Sequence, residues 1–284
     1  MKKELTIKCP AKVNLSLDVV NRREDGYHDL EMIMHTIKLY DTLTITCEDS
    51  LSCQISISSN LRYVPNDERN LCFKAARLFF DETGLNAKVH ISVKKKIPVG
   101  AGLGGGSSDA AGTLTALNKI FGSPIEEDRL LTLSKSIGAD VPFFIRGGCM
   151  LAEGIGEILS PLPLLKDVTF LIAKPDFGIS TPWVYKNLVL NGLTHHPDTK
   201  SVIEAIKEND LEKLAQNAAN VLETVTSEKY SDIEKYKSIM KRCGAVYSLM
   251  SGSGSAVFGV FTDAEKAKTA YTKFKSITKQ IYIA

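Results

Sequence analysis

Residues 98–109 read Pro-Val-Gly-Ala-Gly-Leu-Gly-Gly-Gly-Ser-Ser-Asp, which puts five of the chain's 20 glycines within seven positions. Glycine lacks the Cβ that restricts other residues, so such a stretch can be neither strand nor helix interior and must be a loop. The flanks say what it connects. Ala87–Lys95 alternates Val89, Ile91 and Val93 onto one face, the period of a strand. Ala110, Leu114, Leu117 and Phe121 fall at helical spacing, predicting a helix from Ser108 to Phe121 closed by Gly122. A strand, a glycine loop and a helix in that order suit an anion. Glycines let backbone N–H groups come close to it, and the helix points its unpaired N–H groups and positive dipole end at the same spot. Ser107 and Ser108 add hydroxyls, one as helix N-cap and the other free for a phosphate or metal oxygen. Asp109, in the expected first turn, suits the dipole.

Three readings compete for this loop. One is a flexible turn. Another is a dinucleotide fold, since Gly100, Gly102 and Gly105 fit G-x-G-x-x-G. That fingerprint belongs near the start of a βαβ unit, whereas here a long strand-rich segment comes first. The third is triphosphate binding without a Walker loop. No Gly-Lys pair occurs anywhere in the chain, which removes the P-loop class.

The remainder of the 284 residues reads as a globular α+β protein, 44% hydrophobic and 24% charged. Lys and Arg total 35 against 33 acids, a formal charge of +2, so composition gives no nucleic-acid footprint. Six scattered cysteines form no C-x-x-C pair and have no neighbouring His, which argues against a metal site and for a reducing compartment. Without a secretory h-region or 18 uninterrupted apolar residues, neither a signal peptide nor a membrane span is expected, and a cytoplasmic setting follows. Strands are expected over Lys12–Val20, Leu30–Thr46 with a turn at Asp41-Thr42, and Cys53–Ser58. Helices are expected over Asn70–Glu82 and Glu126–Ile137, with Gly84 and Gly138 as stops. Ser160-Pro161-Leu162-Pro163-Leu164 looks like an interdomain connector. Beyond it come a strand at Val168–Ala173, a polar helical region over residues 184–242 broken near His195–Asp198, strands at Ala245–Met250 and Ala256–Phe261, a helix at Ala264–Lys275 and a strand at Gln280–Ile283. These imply two domains, a strand-rich 1–159 and a helix-rich 160–284.

Three segments, in order, resemble the three motifs of the GHMP kinase superfamily: Pro10-Ala11-Lys12-Val13-Asn14-Leu15, Pro98–Ala111, and Leu249-Met250-Ser251-Gly252-Ser253-Gly254-Ser255. Asp25-Gly26-Tyr27-His28 and Gly138-Ala139-Asp140-Val141-Pro142 carry the likeness to the branch whose acceptor alcohol is linked to cytidine diphosphate. The resemblance implies a two-domain α+β fold with the active site between the domains. It also implies ATP as co-substrate, with Mg²⁺ carried by the nucleotide rather than held by a protein metal site. The implied reaction is phosphorylation of the 2-hydroxyl of a cytidylyl-linked methylerythritol for isoprenoid precursor synthesis.

By the same resemblance Asp140 is the general base, and Lys12 holds that Asp and the hydroxyl. An ammonium beside the carboxylate keeps it ionised and stabilises a developing alkoxide. Pro98, Val99, Gly100, Ala101, Gly102, Leu103, Gly104, Gly105, Gly106, Ser107 and Ser108 are expected to bind ATP, with Asn66 and Lys96 on the adenosine side. Otherwise Lys94-Lys95-Lys96 is a basic strand end. Tyr27 would stack on the pyrimidine and His28 bond its edge. Asn14 would reach the erythritol end, with Thr181 and Pro182 flanking the cytidine. Ser251, Gly252, Ser253 and Gly254 would form a tight loop near the phosphates. One departure is visible: Val221 follows Asn220 where many relatives have an acid, so no role is carried to it. A kinase for homoserine or a mevalonate derivative, and a nucleotide-binding regulator without catalysis, are the alternatives. The oligomeric state is not legible.

Overall fold

The computed structural model describes residues 2–193 and 195–284. It divides into two compact units that interleave along the chain. One comprises the chain up to Ala11, Tyr40–Ile97 and Gly104–Gly147; the other comprises Lys12–Leu39, Pro98–Leu103 and Gly148–Ala284. Two long strands, β1 (Lys2–Arg22) and β2 (His28–Asp49), pair with each other and contribute residues to both units.

In the first unit β2 pairs antiparallel with β4 (Ala87–Lys94), which pairs in parallel with β3 (Gln54–Ser59). Helix α1 (Leu71–Thr83) starts where the Asn70 side chain caps the N–H of Cys72 and stops at left-handed Gly84, as the sequence suggests. It packs on α2 (Gly105–Ile120), which also lies close to β1: a Cβ on Gly112 would fall 2.4 Å from Cys9 Sγ. Phe79, Phe80 and Phe121 meet ring to ring at the end of these helices. Helix α3 (Glu127–Ser134) ends before the Gly138 stop, and a helix not expected from sequence, α4 (Val141–Arg146), follows it with Pro142 in its first turn.

Three expectations fail here for one reason: polar groups are used inside. The turn at Asp41-Thr42 is absent, because β2 runs straight through with Asp41 fully buried. One Asp41 oxygen accepts the backbone N–H groups of Lys96 (2.5 Å) and Ile97 (2.8 Å), and the other pairs with the Lys95 ammonium. Lys95 is therefore no solvated strand end. It also donates to Asp109 Oδ2 at 2.7 Å, so Asp109 serves an ion pair rather than the helix dipole. Helix α2 begins at Gly105, three residues ahead of the expected Ser108, with Gly104 in the left-handed region at its N-cap. Neither serine caps it. Without a Cβ, Gly104 adopts that conformation at little cost, leaving both serines inside the helix.

In the second unit, Leu30–His35 of β2 pairs with β5 (Cys149–Gly154), which pairs with β6 (Ile158–Leu162). The supposed connector at 160–164 thus begins as an edge strand. Pro161 faces Met150 there, at a position where a missing N–H is tolerated. A separate antiparallel sheet has the order β10-β7-β9-β8, built from β7 (Thr169–Lys174), β8 (Tyr247–Met250), β9 (Val257–Phe261) and β10 (Gln280–Ile283). Its strands β8 and β9 are wholly buried. The helices are α5 (Thr181–Asn187), α6 (Thr199–Glu208), α7 (Leu211–Asn217), α8 (Glu223–Lys229), α9 (Asp232–Arg242) and α10 (Ala264–Phe274). The break near His195–Asp198 is where Asp198 caps α6. Leu17 bridges to Asn220, and the Tyr247 hydroxyl donates to the Leu15 carbonyl, so the second half of β1 is bound to elements more than 200 residues away. No helix among the described residues is long and apolar enough to cross a membrane.

Candidate active site

Strand β1 presents Lys12 and Asn14 on one face, and both are buried, Lys12 to 4% exposure. The Lys12 ammonium donates to Asn14 Oδ1 at 2.5 Å, and the Lys12 backbone N–H donates to the Leu103 carbonyl at 3.0 Å. The first motif is thereby joined to the end of the Pro98–Leu103 segment. That segment turns through left-handed glycines at 100 and 102. At Gly102 the need for glycine is spatial as well, because a Cβ there would lie 2.0 Å from the Ser251 carbonyl oxygen. Ser251 Oγ donates to the Gly102 carbonyl at 2.9 Å, and the Ala256 N–H donates to the Ala101 carbonyl at 3.1 Å. Gly252 closes the set. A Cβ on it would stand 3.3 Å from Gly102 O and 3.4 Å from both Asn14 Oδ1 and Lys12 Nζ. Lys12, Asn14, Gly102 and Gly252 thus share one contact, and all three motifs take part in it.

The loop from Ser251 to Gly254 extends this contact to α5, where the Ser253 and Thr181 hydroxyls lie 2.6 Å apart. One helical turn on, at the i+4 position that shares a face with Thr181, Tyr185 packs against His28 with ring centroids 5.2 Å apart. Burial, and Arg22 nearby, pull the His28 imidazole below its ordinary range, so it is neutral at pH 7. Tyr27 beside it projects outward, 61% exposed. Pro182 is exposed on the first turn of α5.

In the other unit the second half of the glycine stretch opens α2. A Cβ on Gly138 would lie 3.9 Å from Ser107 Oγ, so the Gly138-Ala139-Asp140 segment abuts the start of that helix. Asp140 occupies the N-cap position of α4 without a side-chain cap bond to it. Ser108 is buried, and its hydroxyl has no hydrogen-bond partner among the described residues. Asn66 and Lys96 are both exposed.

Several positioning residues escape a reading of motifs. Asn220 donates from Nδ2 to the carbonyls of Met250 (2.8 Å) and Gly252 (2.7 Å), while Glu223 accepts the Met250 N–H at 2.6 Å and pairs with Lys237. Together they hold the third-motif loop from behind. The residue after Asn220 contributes packing instead, since Val221 is buried. The signal for Tyr185 was its i+4 relation to Thr181. For Lys95 it was the strand alternation itself, which continues Val89, Ile91 and Val93 inward to position 95.

Two sequence profiles match the chain, "GHMP kinases N terminal domain" over residues 70–148 and "GHMP kinases C terminal" over residues 202–279. The chain is 48% identical over 273 residues to a 4-diphosphocytidyl-2-C-methyl-D-erythritol kinase of Clostridium novyi, covering 96% of each. The chain belongs to the GHMP kinase family. It is accordingly an ATP-dependent phosphotransferase, and the reading as a regulator without catalysis falls. Among solved structures, a 4-(cytidine 5'-diphospho)-2C-methyl-D-erythritol kinase superposes with a TM-score of 0.82 at 32% identity, covering 98% of both chains. A homoserine kinase of Cytophaga hutchinsonii superposes at 0.79 but at 19% identity, covering 100% of this chain and 94% of its own. That second likeness speaks to the fold of the family alone.

Proposed function

We propose that this kinase phosphorylates the 2-hydroxyl of 4-diphosphocytidyl-2-C-methyl-D-erythritol at the expense of ATP, with Asp140 as general base and Lys12 as its electrostatic partner. The observation that carries the reading is the shared contact of Lys12, Asn14, Gly102 and Gly252, in a chain similar over almost its whole length to kinases of that substrate. Asp140 removes the hydroxyl proton, the oxygen attacks the γ-phosphorus, and the bond to the β-phosphate oxygen breaks to release ADP. Lys12 lowers the energy of negative charge on the attacking oxygen. Asn14, pinned to Lys12, orients the alcohol.

Residues 98–108 supply backbone N–H groups and the start of α2 to the phosphates. Ser108, a buried hydroxyl without a partner among the described residues, suits a phosphate oxygen or the hydrated Mg²⁺ that travels with ATP. That ion neutralises phosphate charge when bound. Ser107, close to the Asp140 segment, faces the same chemistry. Asn66 and Lys96, both exposed, are proposed for the adenosine side. At the acceptor end a neutral His28 offers one donor and one acceptor to a pyrimidine edge. Tyr27 supplies a stacking face, and Thr181 and Pro182 border the nucleoside. Ser251, Gly252, Ser253 and Gly254 back the phosphates. A domain division at residues 159 and 160, with one family profile on each side, is part of this reading. So is a cytoplasmic setting, which suits six cysteines that are all free thiols.

The test is ADP formation with the cytidylyl substrate, homoserine and mevalonate side by side. Turnover only with the first is expected, and Asp140→Asn should lower kcat by roughly 10²–10⁴ while retaining ATP affinity. Equal turnover with homoserine would end the substrate assignment, and full activity of Asp140→Asn would end the assignment of the base.

A further inference from the structure

A loop rich in glycine loses much conformational freedom when it is fixed, so one that must meet an anion in a single shape needs its ends held. Residues 98–104 lie between two such ends, and both are tied to the same buried ion cluster. On the incoming side, one Asp41 oxygen takes the N–H groups of Lys96 and Ile97, the two residues directly before the loop. On the outgoing side, Asp109 in the second turn of α2 takes the Lys95 ammonium at 2.7 Å, and Lys95 also pairs with Asp41. The Lys95 backbone is pinned in turn by Asn60, whose side chain accepts its N–H at 2.7 Å and donates to its carbonyl at 3.1 Å. The ends nearly touch. A Cβ on Gly105 would lie 3.1 Å from Ile97 Cγ2 and 3.2 Å from Lys95 Nζ.

The three side chains are 5%, 0% and 6% exposed for Lys95, Asp41 and Asp109. Apolar residues of similar volume would fill that space without the desolvation that buried charges incur. What apolar residues could not do is take the two N–H groups at the loop's entry and join them to the helix at its exit. We propose that Asp41, Lys95 and Asp109 form a positioning clamp that closes the two ends of the glycine loop on each other and presets its backbone N–H groups for the nucleotide's phosphates. This rests on the phosphate-binding role given to residues 98–108 above. The three are positioning residues, since they act through the loop backbone and touch no reacting atom.

Hydrogen exchange in the nucleotide-free, full-length protein tests the clamp without reference to ATP. In Asp109→Ala, amides from Val99 to Gly106 should exchange between about tenfold and a hundredfold faster, and KM for ATP should rise on the same scale, the penalty typical of a displaced binding group. KM for the alcohol and exchange in the β7–β10 sheet should stay as in the wild type. Asp109→Asn, which keeps an oxygen for the Lys95 ammonium, should restore both readouts. Should Asp109→Ala fail to fold, the double variant Lys95→Met/Asp109→Leu removes one charge of each sign and is read the same way. Loop exchange as in the wild type, or loosening spread evenly through both units, would overturn the clamp. Ser107→Ala separates the two claims. If it weakens ATP while Asp109→Ala changes nothing, the clamp alone fails; if neither variant moves KM for ATP, the phosphate-loop reading fails and the clamp's stated purpose with it.

Discussion

Two parts of the second unit, both assigned to the substrates, are built in opposite ways. Where Gly102 meets the Ser251–Gly252 turn, backbone presses on backbone. Space for even one methyl group is missing, and Lys12 and Asn14 are sealed beneath. Around Arg23–Tyr27 the chain is a solvent-exposed turn, held by Asp25 accepting from the Tyr27 N–H and from Arg23, with the Tyr27 ring in water. The first arrangement fixes distances, which phosphoryl transfer requires. The second leaves an aromatic face open to solvent, which suits the stacking role proposed for Tyr27. The contact proposed for the chemistry is thus housed in packing, and the loop proposed to choose the acceptor is exposed.

The sharpest way to break this contrast is Gly102→Val. It combines a left-handed backbone with a collision against Ser251, so a loss of more than about 4 kcal/mol in chemical denaturation is expected. A stable, active variant would mean the contact is not tight. Asn220→Ala should cost about 1–3 kcal/mol by leaving the Met250 and Gly252 carbonyls unpaired, and kcat should fall more than the KM for either substrate.

Asp109→Asn gives a smaller, pH-dependent effect. Burial raises the Asp109 carboxyl to about 7, with Asp41 adding to the rise and Lys95 opposing it. The native state therefore holds a proton that the unfolded chain gives up near the ordinary value of about 4, and stability is lost as pH rises through about 7. The Asn variant lacks that loss. Its melting temperature relative to wild type should climb between about pH 4 and pH 7 and level off above, whereas a constant difference would show that Asp109 does not titrate there. The other groups facing this carboxyl, Cys9 on β1 and Cys72 on α1, are thiols pushed far up by burial and remain neutral over that range. The least effect on stability should come from Tyr27→Ala, within about 0.5 kcal/mol because the ring is exposed. Its KM for the cytidylyl substrate should nonetheless rise by the equivalent of about 1–3 kcal/mol, the worth of stacking on a base. Equal losses of stability and affinity would erase the distinction between the two regions.

Elements with local punctuation were legible in the sequence. Helix α1 carries its own start and stop in Asn70 and Gly84, and β10 was located to the residue. Motif order placed Lys12, Asn14, Gly102 and Gly252 in candidate-site segments, and the contact that joins the four is seen only in the structure. What misled was polarity taken as a sign of exposure. Asp41 falls on the inward parity of β2, with Leu39, Leu43 and Ile45, and Lys95 continues the inward parity of β4. Each reads as turn or surface alone and as core once its partner, 54 residues away, is known. Asn220 carries no local signal at all, because its work is done on the backbone of a loop 30 residues on. The edge strand at Ile158–Leu162 was hidden by prolines that a middle strand would not admit.

The interleaving of the units has a consequence for biosynthesis. Everything the first unit needs has left the ribosome soon after Gly147, so its sheet and helices can assemble while the rest is still being translated. The second half of β1 is made more than 200 residues ahead of its partners Asn220 and Tyr247. The nascent chain must keep that ribbon from unwanted company until they emerge, and Lys12, buried within it, waits on them.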